Sequence, residues 1–102
     1  MPARIVKCPV RTSTFAHEDG TIVTTYRGTD VVTIHPNGGV TLDDGGWATY
    51  TTKHRMNQFS PDWLGVFQHK MEWFVTIKGQ ETLPFYSGAT YHPNGKLYVG
   101  KK

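Results

Sequence analysis

One ten-residue pattern occurs twice and commits the chain to a fold built from hairpins. Residues 33–42 (TIHPNGGVTL) and 90–99 (TYHPNGKLYV) agree position by position: Thr, His, Pro, Asn and Gly are identical, and the apolar positions correspond. Proline fixes φ at the first turn position, asparagine suits the second, and glycine accepts the left-handed backbone that follows. This is the chemistry of a type I turn closing on a bulge. Alternation on either side puts Val32, Ile34, Val40 and Leu42 on one face of the first hairpin. In the second it puts Tyr91, Leu97 and Val99 on one face. Two distant copies are too few for a solenoid, so they read as two hairpins sharing one turn sequence.

The rest of the chain is punctuated in the same way, with eleven glycines and six prolines. Residues 3–10 read as a strand ended by Pro9. Residues 11–20 read as a loop anchored by Phe15, and Asp19-Gly20 as a turn into a strand over 21–27. Gly28-Thr29-Asp30 is a further predicted turn, before a strand over 31–35. Residues 47–52 alternate like a strand. Thr51 or Thr52 can then cap a short helix with Met56 and Phe59 toward the core. Ser60-Pro61-Asp62-Trp63 carries a second helix-start signature, stopped by Gly65. Residues 66–69 and 73–78 form a hairpin across Lys70-Met71-Glu72, with Trp73, Val75 and Ile77 on one face. Pro84 makes 81–86 an edge strand or an ordered loop. The expected fold is mainly β: a small barrel-like or two-layer β fold of about eight or nine short strands, with one or two short helical turns.

At 102 residues the chain reads as one β-rich domain spanning 1–102. Its formal charge of +3 permits a polyanionic partner without requiring one. Cys8 is the only cysteine, so an intrachain disulfide and a cysteine zinc site are excluded. No adequate apolar stretch follows Met1-Pro2-Ala3-Arg4, so no secretory leader is expected. No stretch approaches the ~20 apolar residues of a membrane span. A cytoplasmic setting and no membrane partner are expected, with a homodimer covering an edge strand as an option.

The first candidate site is the cationic turn Thr51-Thr52-Lys53-His54-Arg55-Met56-Asn57. A helix start offers free N–H groups, and Thr51, Thr52, Lys53, Arg55 and Asn57 add donors suited to phosphate. Trp47 and Tyr50 could stack on a base, and the Asp43-Asp44-Gly45-Gly46 loop lies close in sequence. The plainer reading is a capped helix with solvated charges, and the two aspartates oppose an anion. The five histidines, His17, His35, His54, His69 and His92, include no pair at H-x-x-x-H spacing. A metal site would need tertiary convergence, and none is expected. His35 and His92 would meet if their hairpins lie side by side. Otherwise they are turn residues on the outward face. No nucleophile elbow, P-loop or dinucleotide fingerprint is present, so no catalytic residue and no cofactor is expected. A histidine-based hydrolase would need two histidines and a carboxylate brought into one cleft.

The central stretch resembles a group of small proteins encoded in bacteriophage genomes. The likeness rests on residues 34–42 (IHPNGGVTL), then Gly45-Gly46-Trp47, Thr49, Thr51-Thr52, Arg55 and Asn57, with a weaker echo in Val66-Phe67-Gln68 and Trp73-Phe74-Val75. Asp44 stands where the pattern often has serine. The resemblance implies a phage accessory protein made inside a bacterial cell, and such proteins commonly bind host factors or handle nucleic acid. The leading expectation is a non-enzymatic protein that binds, and inhibits or redirects, a host protein or nucleoprotein, with anti-defence activity as one form of this. It requires exposed aromatics among the eight that crowd the second half of the chain. The alternative is a nucleic-acid or nucleotide-phosphate binder using residues 51–57.

Overall fold

The computed structural model describes residues 12–46, 49–80 and 82–98, and of Tyr50 the backbone alone. The strand expected over 3–10, Trp47 and Val99 lie outside these residues. The described chain forms β1 (Thr12–Ala16), β2 (Ile22–Tyr26), β3 (Thr29–Ile34), β4 (Val40–Leu42) and α1 (Tyr50–Phe59). It continues with β5 (Leu64–His69), β6 (Glu72–Ile77), β7 (Leu83–Pro84), β8 (Ala89–Tyr91) and β9 (Leu97–Tyr98). Six strands make a large sheet in the order β1-β2-β3-β4-β8-β9, and three make a small sheet in the order β5-β6-β7. All pairings are antiparallel. The fold is mainly β in two sheets. Neither closes on itself, so the barrel alternative does not apply.

Register in the large sheet is unusually continuous. Ala16, Ile22, Ile34, Val40, Tyr91 and Leu97 form one row across all six strands, facing the core. The next inward row is Thr14, Thr24, Val32, Leu42 and Ala89, all buried. The two buried threonine hydroxyls satisfy each other at 3.0 Å. A bulge between Thr24 and Thr25 lets Val31 bury beside Val32. The opposite face carries Phe15, Val23, Thr33, Thr41, Thr90 and Tyr98.

Both repeated hairpins are present, and β4 pairs with β8, so they lie side by side. A third turn of the same construction joins β1 to β2. In each, a histidine N–H reaches the residue four positions on: His17 to Thr21 at 2.7 Å, His35 to Gly39 at 2.8 Å, His92 to Lys96 at 3.0 Å. In each, an Asp or Asn carboxyl or amide oxygen accepts from the N–H two positions on. Gly20, Gly38 and Gly95 supply φ of 100°, 96° and 90°. The shared signature is His-x-Asp/Asn-Gly. The first copy escapes a search for HPNG because Glu18 and Asp19 replace Pro and Asn.

Four expectations are corrected. Residues 12–16 form strand β1 rather than a loop, because Thr12, Thr14 and Ala16 alternate as a small inward set. Phe15 therefore points outward, 45% exposed, and anchors nothing inside. The turn after β2 is Arg27-Gly28, since Tyr26 already pairs with Thr29. Tyr50 begins a helix, capped by Thr49 rather than by Thr51 or Thr52. Residues 60–63 start no second helix: Ser60 ends α1 with φ −85° and ψ 158°, the extended state that Pro61 imposes on its predecessor.

The core collects Met56 of α1 with Leu64, Val66, Val75 and Ile77 of the small sheet and the inward rows of the large one. Tyr91, fully buried, ties the sheets together. Its hydroxyl donates to Pro84 O at 2.8 Å and accepts from Tyr86 N at 3.0 Å. Burial pushes its ionisation up to about 12. Below the ordinary tyrosine value of 10.0 both folded and unfolded chains hold the proton, so the stabilisation is intact. It is lost as pH rises from there toward 12, because only the unfolded chain ionises. Tyr91→Phe should cost about 1–3 kcal/mol at neutral pH by orphaning Pro84 O and Tyr86 N. It should also flatten the fall in stability above pH 10, which denaturant melts at stepped alkaline pH will read.

Candidate functional site

Helix α1 organises the residues singled out from the sequence, but it gives most of them internal partners. Thr49 accepts from Thr52 N at 3.2 Å, and the two hydroxyls lie 3.1 Å apart. Thr52 is buried. The Arg55 guanidinium sits 5.6 Å from the Tyr26 ring centroid and donates to Thr12 Oγ1 at 3.1 Å and to Gln58 Oε1 at 3.4 Å. Asn57 pairs with the free edge of β5: Nδ2 donates to Val66 O at 2.8 Å and Oδ1 accepts from Val66 N at 2.7 Å. At about 100° per residue, Thr51 and Arg55 leave α1 on one flank, and Lys53 and Asn57 on the other. Lys53 and Arg55 therefore do not converge on one surface. Trp47 and the Tyr50 side chain lie outside the described residues.

The Asp43–Gly46 loop is pinned rather than loose. Asp43 and Asp44 carboxylates accept from Gly45 N and Gly46 N at 2.7 and 2.8 Å. Ser87 Oγ stands 3.0 and 2.9 Å from those carboxylates and accepts from Asp44 N. Gly45, at φ 61°, presses its backbone onto Thr29, where a Cβ would clash with the threonine side chain. Between this loop, the β2–β3 turn and the start of α1 lies a cavity of about 380 Å³. Its walls include Tyr26, Arg27, Thr29, Val31, Asp44 and Thr49.

A second feature is the outward face of the small sheet. Phe67, Phe74 and Pro84 are lateral neighbours across its three strands, and the two phenylalanine rings stack at 5.5 Å. The hairpin above them turns in two residues, Lys70 and Met71, with φ of 52° and 71°. The predicted third turn residue, Glu72, already belongs to β6. Left-handed backbone costs a non-glycine residue roughly 1–2 kcal/mol. Met71, which carries that cost, is 87% exposed. The hollow beside it is lined by Gln68, Met71, Trp73 and Phe85, among others.

The histidines of the three matching turns line one rim of the large sheet, on its outward face. His17 meets Phe15 edge-on at 4.8 Å and His92 meets Tyr98 at 5.3 Å. His35 Nε2 lies 2.7 Å from Thr41 Oγ1, which lies 2.6 Å from Thr90 Oγ1. The His92 ring rests over Gly39, where a Cβ would come within 2.6 Å of Cε1. Alternate strands are about 10 Å apart. His35 is linked to threonines, not to a carboxylate, and among the described residues no three His, Cys, Asp or Glu side chains form a metal-holding group. Among those residues, too, no helix is long and apolar enough to cross a membrane.

Comparison with known proteins adds one finding. Residues 9–92 match the family described as Kyanoviridae Gp96 protein, a phage family. The chain belongs to that family. The match spans the first two His-x-Asp/Asn-Gly turns and reaches His92, the first residue of the third, together with the whole small sheet. No curated protein and no solved structure matches this Gp96-family chain.

The Asn57 clamp supports a direct test of how α1 is held. Asn57→Ala leaves both Val66 groups without their partner. It should destabilise the fold by about 2–3 kcal/mol, a fall in Tm of roughly 8–24 °C. Calorimetry on the two proteins checks this. A loss below 0.5 kcal/mol, roughly the scatter of neutral surface changes, would mean that water replaces the side chain.

Proposed function

We propose that this phage accessory protein acts by binding a host protein, inhibiting or redirecting it, through the outward face of the small sheet and its hairpin tip. The observation that carries the reading is the strained, exposed Lys70-Met71 turn standing over the Phe67–Phe74–Pro84 row. A two-residue hairpin turn of this hand favours Asn-Gly, which here would relieve strain in the free protein. Lysine and methionine in its place give up stability for an exposed, adaptable apolar side chain and a charge. Such a residue pair suits contact with another protein surface. The stacked phenylalanines add a flat aromatic anchor of the kind that dominates protein contacts.

Neither edge of the small sheet favours strand addition. Asn57 occupies the outer polar groups of β5 at Val66, and β7 holds Pro84. The face is thus the part left for a partner.

The test pairs stability with binding. Met71→Gly should raise stability by about 0.5–1 kcal/mol, since glycine adopts φ 71° without strain. Phe67→Ser should leave the protein folded. Tagged wild type, Met71→Gly and Phe67→Ser are used to capture proteins from nuclease-treated bacterial host lysate. A specific protein retained by wild type at high salt and lost by both variants is the expected result. Equal capture by all three proteins would remove the small-sheet face from the reading.

A further inference from the structure

A different part of the molecule, which among the described residues shares Asp44 with the hollow beside Met71, carries a second inference. Arg27 stands at the mouth of the 380 Å³ cavity with φ 52°. Among the described residues it makes no hydrogen bond, ion pair or ring contact. The turn it shares with Gly28 (φ 83°) is of the same left-handed pair type, in which Asn or Gly is the unstrained choice for the first position. An arginine there costs the fold stability and gains no internal partner. A strained backbone position with an unused guanidinium beside a hollow points to a ligand outside the chain.

The walls describe that ligand. The guanidinium fork at one side suits a phosphate, which it can hold through two parallel N–H bonds. Thr29 and Thr49 lie on the lining, and Asp44 is its one carboxylate among the described residues. Asp44 uses Oδ1 on Gly46 N and Ser87, and the bonds described leave Oδ2 as an acceptor for a hydroxyl or exocyclic amine. Val31, fully buried, and the Tyr26 ring give an apolar wall for a flat ring. The Arg55 guanidinium over Tyr26 fixes that ring's position. The volume falls within the roughly 300–1,000 Å³ of small-molecule sites, large for an amino acid and small for an oligonucleotide. The Ser87 contacts and the Gly45–Thr29 approach hold the walls without a ligand.

We propose that the cavity between the β2–β3 turn, the Asp43–Gly46 loop and the start of α1 binds a nucleoside monophosphate, with Arg27 on the phosphate, Asp44 on a donor group and Tyr26 against the ring. The site differs from the residue 51–57 turn, where Thr52, Arg55 and Asn57 are engaged within the fold. It uses a cation from the opposite wall.

Calorimetric titration of the full chain with AMP, GMP, CMP and UMP is the first arm. Saturable binding of at least one is expected. The matching nucleoside and inorganic phosphate should each bind on the order of ten- to a hundredfold more weakly, the size of one charge-assisted contact pair. Arg27→Gly removes the cation and relaxes the turn, so it should lose binding by a similar factor while its Tm stays equal or rises. In amide NMR spectra the bound nucleotide should shift Arg27, Thr29 and Asp44. The proposal is overturned by no saturable binding of any of the four, by Arg27→Gly binding as well as wild type, by a nucleoside that binds as tightly as its monophosphate, or by shifts confined to another surface.

Discussion

A single buried hydroxyl sits where the two sheets meet. Among the described residues Tyr91 is the largest side chain with no exposure, and its oxygen serves one acceptor and one donor on the segment leading out of β7. A buried phenol without partners would cost several times what the pair contributes. The packing of the small sheet against the large one is therefore directional as well as apolar. β7 is only two residues long and contains a proline, so it has little ladder of its own to fix its place. The tyrosine supplies the missing constraint, and in doing so sets the position of Pro84 on the outward aromatic row.

Much of the fold was legible from sequence because its turns are chemically explicit. The two HPNG segments, Asp19-Gly20 and the Pro84 edge strand all appear as their residues require. What failed to show was governed by residues far away in the chain. β1 presents only threonine and alanine inward, a pattern that resembles a polar loop until β2 supplies Thr24 as a buried hydroxyl partner. Thr49, Thr51 and Thr52 are equivalent as cap candidates by composition, and only the packing of Met56 and Thr52 selects Thr49. The cationic set on α1 was visible as a list of donors. Its partners, Thr12, Tyr26 and Val66, lie nine to forty-three residues away for the hydrogen bonds, beyond the reach of local spacing. Arg27 gave no signal at all, because its meaning lies in a backbone angle.

The hairpins other than β6–β7 fall into two chemical groups. Three turns use a histidine, an Asx residue and a glycine, and at each of them the histidine N–H, the glycine N–H and the N–H that follows it all find partners. The Thr21 N–H even holds the Asp19 carboxyl below the usual carboxylate range. The other two, at Arg27-Gly28 and Lys70-Met71, include three non-glycine residues in left-handed conformation, all those that the described chain contains. The first group specifies strand register across the large sheet. The second departs from the residues that would stabilise it best. A natural sequence that is locally consistent almost everywhere marks its exceptions as places of other use.

The clamp of Asn57 on Val66 has a consequence for how this protein can change over generations. A binding surface built on a sheet edge reads another backbone, so its contacts are common to every sequence and hard to retune. Here a side-chain amide stands in for the neighbouring strand at one edge and a proline blunts the other, so what the small sheet offers to its surroundings is side chains on a rigid face. Each of those side chains is a separate position that can be exchanged without disturbing the backbone ladder beneath it. On the partner-binding reading proposed above, such a contact can be altered one residue at a time while the scaffold stays the same.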